Sequence, residues 1–247
     1  MKRLLLFTLF VSQALHAIVS ITPVEIGANA GWHTKVGVSL ETARGNTHKD
    51  NYKGSYKLTY DNNETYVSFV EITGSYGKTN YIEDTNNAYM HFRYIYALSP
   101  KKLRAEFFLQ GQEDKFKEIN SRKLAGLGFR LKIRKFFDKG EGYIGLGAFY
   151  EEINYIESTD IQGIVLNNYV TYKVDFAEDK TLTYRLDFQP VYNDLGDYLL
   201  IQKLALKIKL DERLSLVIDM THDVDSAPVD GVSKNNFSQT TGLIYSF

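Results

Sequence analysis

From Trp32 to the end of the chain, apolar residues recur at every second position, in one segment after another. In the first segment Trp32, Val36, Val38 and Leu40 share one face, while His33, Lys35, Ser39 and Glu41 share the other. Tyr52, Tyr56, Leu58 and Tyr60 then oppose Lys53, Ser55, Lys57 and Thr59. Later stretches repeat the pattern: Leu103, Ala105, Phe107 and Leu109 against Arg104, Glu106 and Gln110; Leu204, Leu206, Ile208 and Leu210 against Lys203, Lys207 and Lys209. A period of two belongs to strands, whose successive side chains point to opposite faces. About twelve such segments are predicted, over 31–44, 51–61, 64–76, 86–98, 103–114, 121–134, 142–153, 164–176, 181–191, 197–210, 214–223 and 235–247. The third is the least regular, because Val67 and Phe69 fall on its polar face.

Most segments reach the nine to eleven residues, roughly, that a tilted strand needs to cross a bilayer. Tight junctions at Asp61-Asn62-Asn63, Ser99 to Lys102, Ala177 to Lys180 and Asp211-Glu212-Arg213 mark one end. Longer polar stretches, Lys78 to Thr85, Asn154 to Gly163 and Asp223 to Lys234, are predicted as loops at the other. Short turns alternating with long loops are the pattern of a barrel in a bacterial outer membrane. Lipid cannot satisfy open strand edges, so the sheet must close on itself. The fold class predicted is all-β: a transmembrane antiparallel β-barrel with its apolar face toward lipid and its charged face toward the lumen. Trp32, Tyr60, Tyr96, Tyr143 and Tyr198 are expected in the interfacial girdles. Closure should pair Trp32 to Leu40 with Phe237 to Phe247.

The N-terminus changes the picture from barrel to exported barrel. Lys2 and Arg3 precede the apolar run Leu4 to Val11, which is too short to span a membrane but suits a secretory signal. Cleavage is expected after Ala17, giving a signal peptide over 1–17 and a barrel over 18–247; Leu15 fits that site poorly, which leaves Ala14 as a second one. Leu243, Tyr245 and Phe247 share a face of the last strand, and such an aromatic terminus is read by assembly machinery as an added edge strand. Localisation is thus expected in the outer membrane of a Gram-negative bacterium. The implied partners are its lipid and lipopolysaccharide, and the barrel-assembly machinery through the C-terminal strand.

Composition mainly excludes. Eighteen Tyr and fifteen Phe stand beside four Pro and no Cys. Without Cys there is no disulfide framework, thiolate metal site or lipidated N-terminal Cys. A net charge of −1 gives no reason to expect nucleic acid. No cofactor or metal site is implied.

The order of several short motifs carries a resemblance. Gly45-Asn46-Thr47 is followed by Arg93 to Pro100 (RYIYALSP), Gln110 to Phe116 (QGQEDKF), Arg122 to Arg130 (RKLAGLGFR) and Gly145 to Glu151 (GLGAFYE). This series resembles the YdiY-like family, described as salt-induced outer-membrane proteins with a domain of unknown function. The resemblance covers most of the chain after the signal and implies an outer-membrane barrel linked to salt stress; it supplies no catalytic residues.

Candidate functional residues therefore come from the inward face. Arg93, Arg104, Glu106, Arg130, Lys132, Glu151, Lys173, Arg185 and Asp187 are predicted to line the lumen. Buried charges are usually paired, so a shape-holding ion-pair network is the first expectation for them. Gly126, Gly128, Gly145 and Gly147 leave room for bulky interior groups such as Arg93 or Phe149. Inward Lys and Arg outnumber inward Asp and Glu, which favours anions if water passes. Inward Tyr89, Phe108, Phe149 and Tyr169 could instead fill the lumen. Two other classes stay open: a lipid-acting barrel enzyme using His222 beside Thr221 and Asp223, and a receptor or adhesin acting through acidic outer loops.

Overall fold

The structure, a computed structural model, describes residues 23–43, 48–99, 102–133 and 140–247. The signal segment, Gly45-Asn46-Thr47 and Pro100-Lys101 lie outside the described residues. The strands are β1 (Gly31–Ala43), β2 (Lys49–Asp61), β3 (Tyr66–Thr79), β4 (Ile82–Ala97), β5 (Leu103–Asp114) and β6 (Ile119–Ile133). They continue as β7 (Gly140–Tyr155), β8 (Ile161–Ala177), β9 (Lys180–Val191), β10 (Asp194–Lys209), β11 (Leu214–Asp225) and β12 (Asn235–Ser246). Each is antiparallel to its sequence neighbour, and β1 meets β12 to close a twelve-strand barrel. A 3-10 turn, Lys115–Lys117, is the helical element among the described residues.

Strand length fits a membrane. The shortest strands have 12 residues, about 40 Å along their own axes; a tilt of roughly 40° reduces that to about 30 Å of height, more than the apolar belt of about 25 Å. The outer face carries exposed Val38, Leu40, Leu127, Leu146 and Ile164. At the turn end a chain of rings runs along the outside: Trp32 to Tyr60 at 4.8 Å, Tyr60 to Tyr66 at 5.9 Å, and Tyr66 to Tyr94 at 5.2 Å. Tyr143 departs from expectation. It is fully buried inside the barrel under the Arg130 guanidinium, 4.3 Å from its ring centroid. The reason is parity: Tyr143 shares the β7 face of Gly145 and Gly147, which points inward.

Two other expectations need correction. Lys78 to Thr85 is not a long loop. Asn80 and Tyr81 form a two-residue turn with φ of 50° and 68°, and pairing continues from Thr79↔Ile82. Positive φ at both central residues matches the strand twist. His48 holds this turn, since its N–H donates to Asn80 Oδ1 at 2.9 Å and its ring stacks on Tyr81 at 4.7 Å. Glu83 and Asp84 consequently lie in β4, bound by Lys115 at 3.3 Å and by the Thr79 hydroxyl at 2.6 Å. β9 and β10 are likewise joined by only Tyr192 and Asn193, so loop length does not alternate strictly. The closing seam is also shorter than expected. It pairs Lys35↔Ser246 through Val38↔Leu243, with the Phe247 N–H donating to Thr34 O at 2.9 Å.

Candidate functional site

The lumen is the site that this topology creates, and its two walls differ. Eight strands enclose a space that side chains just fill, whereas sixteen leave a channel. Twelve fall between, so the size of the inward groups decides how much space is left.

On the wall from β4 to β9 those groups are aromatic rings and guanidiniums. Phe108, Leu124, Phe149 and Val165 form a buried cluster with Val191 against it. Gly126 lies between Phe108 and Phe149 in register, and an added Cβ there would strike both. Gly145 likewise faces Tyr169. Gly128 and Gly147 are directly opposed, and a Cβ on either would meet the other strand's backbone. The glycines thus admit Phe108, Phe149 and Tyr169.

The predicted charged residues fall into three groups along the axis. At the centre, Glu106 lies 3.5 Å from both Arg93 and Arg130 and accepts a 2.8 Å hydrogen bond from the Tyr169 hydroxyl. Arg185 stacks over the Tyr169 ring at 4.4 Å and grips Asp187 through two bonds of 2.5 and 2.7 Å. Arg93 also donates to His91 Nε2 at 3.2 Å. Nearer the turn end, Lys132 and Lys173 share Glu141 at 3.7 and 3.5 Å, Lys173 reaches Asp175 at 3.3 Å, and Arg104 lies 5.6 Å from the Tyr143 centroid. Nearer the loop end, Glu151 is held by Arg122 at 2.6 Å. These contacts make a central cluster joined to the turn-end group through the Tyr143 ring, over which Arg130 and Arg104 both lie, and a separate Arg122–Glu151 pair.

The opposite wall, β10 to β12 with β1 and β2, is lined by small residues: Gly37, Ser55, Ala205, Ser215, Thr221, Ser238 and Thr240. Lys35, Lys53, Lys203 and Lys207 project over it. Among the described residues, none of these four has a carboxylate oxygen within 4.0 Å. Asp219 is the acid facing Lys53 and Lys203, yet Lys53 Nζ and Asp219 Oδ2 are both buried without a hydrogen-bond partner. Lys35 faces three further lysines, Lys57, Lys207 and Lys173, as well as Glu71, and Lys207 faces Asp175. The acids facing this wall therefore act on its lysines from beyond ion-pair distance.

Sequence reasoning missed one contributor altogether. Residues 23–30 enter the lumen at the turn end, where Val24 and Ile26 pack on Val67, Phe69 and Ile95. Glu25 lies 2.7 Å from Lys132 and 3.9 Å from Arg104. The irregular inward Val67 and Phe69 were the available signal.

Other candidates do not assemble. His222 sits on the outward parity of β11, whereas Thr221 and Asp223 are buried on the inner face at 5% and 2% exposure. Asp223 instead pairs with Lys117 at 3.1 Å. Among the described residues, no group of three or more His, Asp or Glu side chains is arranged to hold a metal ion. Leu243, Tyr245 and Phe247 all face outward, with the last two rings 4.7 Å apart.

Closure, an apolar exterior and a charged interior together define a barrel of the outer-membrane type. The chain belongs to the family described as "Protein of unknown function, DUF481", whose model matches residues 36–247; the YdiY-like resemblance is consistent with that membership. Among curated proteins, no sequence matches. Similar solved structures include an outer-membrane channel from Pseudomonas putida F1, at 12% identity over 91% of this chain and 100% of that one, with a TM-score of 0.54. The NanC porin is similar at 10% identity over 87% and 98%, with a TM-score of 0.50. The translocator domain of the autotransporter NalP from Neisseria meningitidis is similar at 10% identity over 89% of each chain, also with a TM-score of 0.50. At such identities the likeness concerns the fold.

Proposed function

We propose that this chain is an exported outer-membrane barrel of the salt-induced type, which supports envelope integrity and passes small anions through a narrow lumen. The observation that carries the reading is the wall of Lys35, Lys53, Lys203 and Lys207, whose ammonium groups have no carboxylate within ion-pair distance among the described residues. A lining with a purely structural role would pair its charges, as the opposite wall does. Uncompensated cations on a low-dielectric wall concentrate anions and lower their barrier to entry. Planar-bilayer recording of refolded protein under a KCl gradient tests this. Small ohmic steps reversing toward the chloride potential are expected; cation preference, or silence at every voltage, would remove the anion conduit. The salt-induced part is tested separately by transcript level after a NaCl upshift, and a flat response would remove it.

Outer-membrane lipid and lipopolysaccharide meet the apolar belt in this reading, and the assembly machinery engages Leu243, Tyr245 and Phe247. Deleting Phe247 should lower outer-membrane yield more than it lowers the melting temperature of the barrels that do assemble. Equal yield with and without Phe247 would exclude that role.

A further inference from the structure

We infer that the inner wall near the turn end carries a peptide-binding site, and that residues 24–27 occupy it as a releasable plug. The seat has two chemistries side by side. Val67, Phe69 and Ile95, at 0%, 9% and 1% exposure, form an apolar patch that receives Val24 and Ile26. Beside it stand Arg104, Arg130 and Lys132. Lys132 and Arg104 flank the Glu25 carboxylate at 2.7 and 3.9 Å, and Arg130 donates to the Val24 carbonyl. The ligand class is thus a short extended peptide reading apolar–acid–apolar. The far end is tied by Asp61, whose carboxylate accepts from the N–H groups of Gly27 at 2.9 and 3.1 Å and of Asn29 at 3.3 Å.

Position makes this segment an obstruction. It runs from Lys132 on β6 to Asp61 on β2, across the turn-side mouth. Phe69 also carries the Lys57 ammonium 4.1 Å over its ring, but an unoccupied seat would leave Val67, Phe69 and Ile95 facing water. The segment is also weakly held compared with the barrel. Residues 23–30 join no strand ladder, whereas β3 and β4 pair from Tyr66↔Tyr96 to Thr79↔Ile82. Elements with few buried contacts open locally while the rest stays folded. The Glu25 and Lys132 side chains keep 19% and 29% exposure, so salt weakens their attraction. Release should therefore increase with ionic strength.

The seat stands independently of the conduit reading; only the effect on conductance rests on it. The chain has no Cys, so engineered disulfides are unambiguous. Ile26→Cys would be combined in turn with Val67→Cys, Phe69→Cys and Ile95→Cys in the full chain. Heat-modifiable mobility would confirm folding, and bilayer conductance would be read oxidised and reduced. Bridging requires close Cα atoms, so a cross-link reports the seat directly. Glu25→Lys, outside every strand, should raise conductance without touching the barrel, and Glu64→Lys, exposed in the β2–β3 turn, should not. A synthetic peptide of residues 23–29 should then block the Glu25→Lys barrel. Cross-linking with a conductance rise on reduction supports the plug. Failure of every pair to cross-link in folded barrels overturns the seat. Cross-linking with unchanged, non-zero conductance overturns the plug and leaves the conduit standing. Silence in oxidised, reduced and Glu25→Lys protein overturns the conduit and the plug's release together.

Discussion

On the wall from β4 to β9, Arg93, Arg130 and Arg185 each lie against a carboxylate and a ring; on the wall from β10 to β2, Lys35, Lys53, Lys203 and Lys207 have, among the described residues, neither a carboxylate within 4.0 Å nor a stacked ring. The same strand period built both walls, so the difference is chemical. A guanidinium is planar, weakly hydrated and suited to stacking and forked bonds, which makes it a packing element. An ammonium on a four-carbon stem is a compact point charge that neither forks nor stacks. Bulk follows the same division, with Phe108, Phe149 and Tyr169 on one wall and Ser215, Ser238 and Thr240 on the other. In the proposed reading one wall holds the barrel's shape, and the other offers charge to whatever enters.

Breaking the packed wall should have the largest effect. Glu106→Ala leaves Arg93 and Arg130 buried without their carboxylate and the Tyr169 hydroxyl without its acceptor, so roughly 3–5 kcal/mol should be lost. The unfolding midpoint in denaturant, read by heat-modifiable mobility, measures it; a loss no greater than that of a surface substitution would mean that the cluster carries no structural role. Leu206→Arg, on the lipid face of β10, should cost roughly 2–4 kcal/mol. Its neighbour Lys207, one residue on and inward, is the control for parity, and Lys207→Ala should change stability by no more than about 0.5 kcal/mol. Equal damage from the two would invert the assignment of faces. Gly145→Val drives a branched side chain into Tyr169, and overpacking of that kind costs about 1–3 kcal/mol. Adding Tyr169→Ala should restore much of that loss in a double-mutant cycle, and additive losses would show that the two residues do not collide.

The barrel was legible because each strand repeats a local rule. Leu127, Phe129 and Leu131 against Gly128, Arg130 and Lys132 declare both a strand and its faces without reference to any other element. The inward side of Arg93, Glu106 and Arg185 followed from parity alone. What escaped was whatever depends on closure. Tyr143 looks like a girdle residue by type and becomes the lumenal ring beneath Arg130 only through its position on β7. The hairpin at Asn80 and Tyr81 needs positive φ at a Tyr, which composition does not advertise. Residues 23–30 alternate like a strand, Val24, Ile26, Ala28 and Ala30 against Glu25, Gly27 and Asn29, yet join no ladder, and nothing local says that Val24 and Ile26 find Val67, Phe69 and Ile95. The unequal walls emerge only once β10 to β12 are brought round to β1 and β2.

The most direct measurement of the two-wall account is the reversal potential of a barrel whose lysine wall has been neutralised. Lys35, Lys53, Lys203 and Lys207 would be changed together to Gln, and the refolded protein compared with wild type under the same KCl gradient. The account predicts a folded barrel of near-normal melting temperature whose reversal potential moves from the chloride side toward zero. An unchanged reversal potential in a folded, conducting variant would contradict it, because selectivity would then reside elsewhere than on the unpaired lysines.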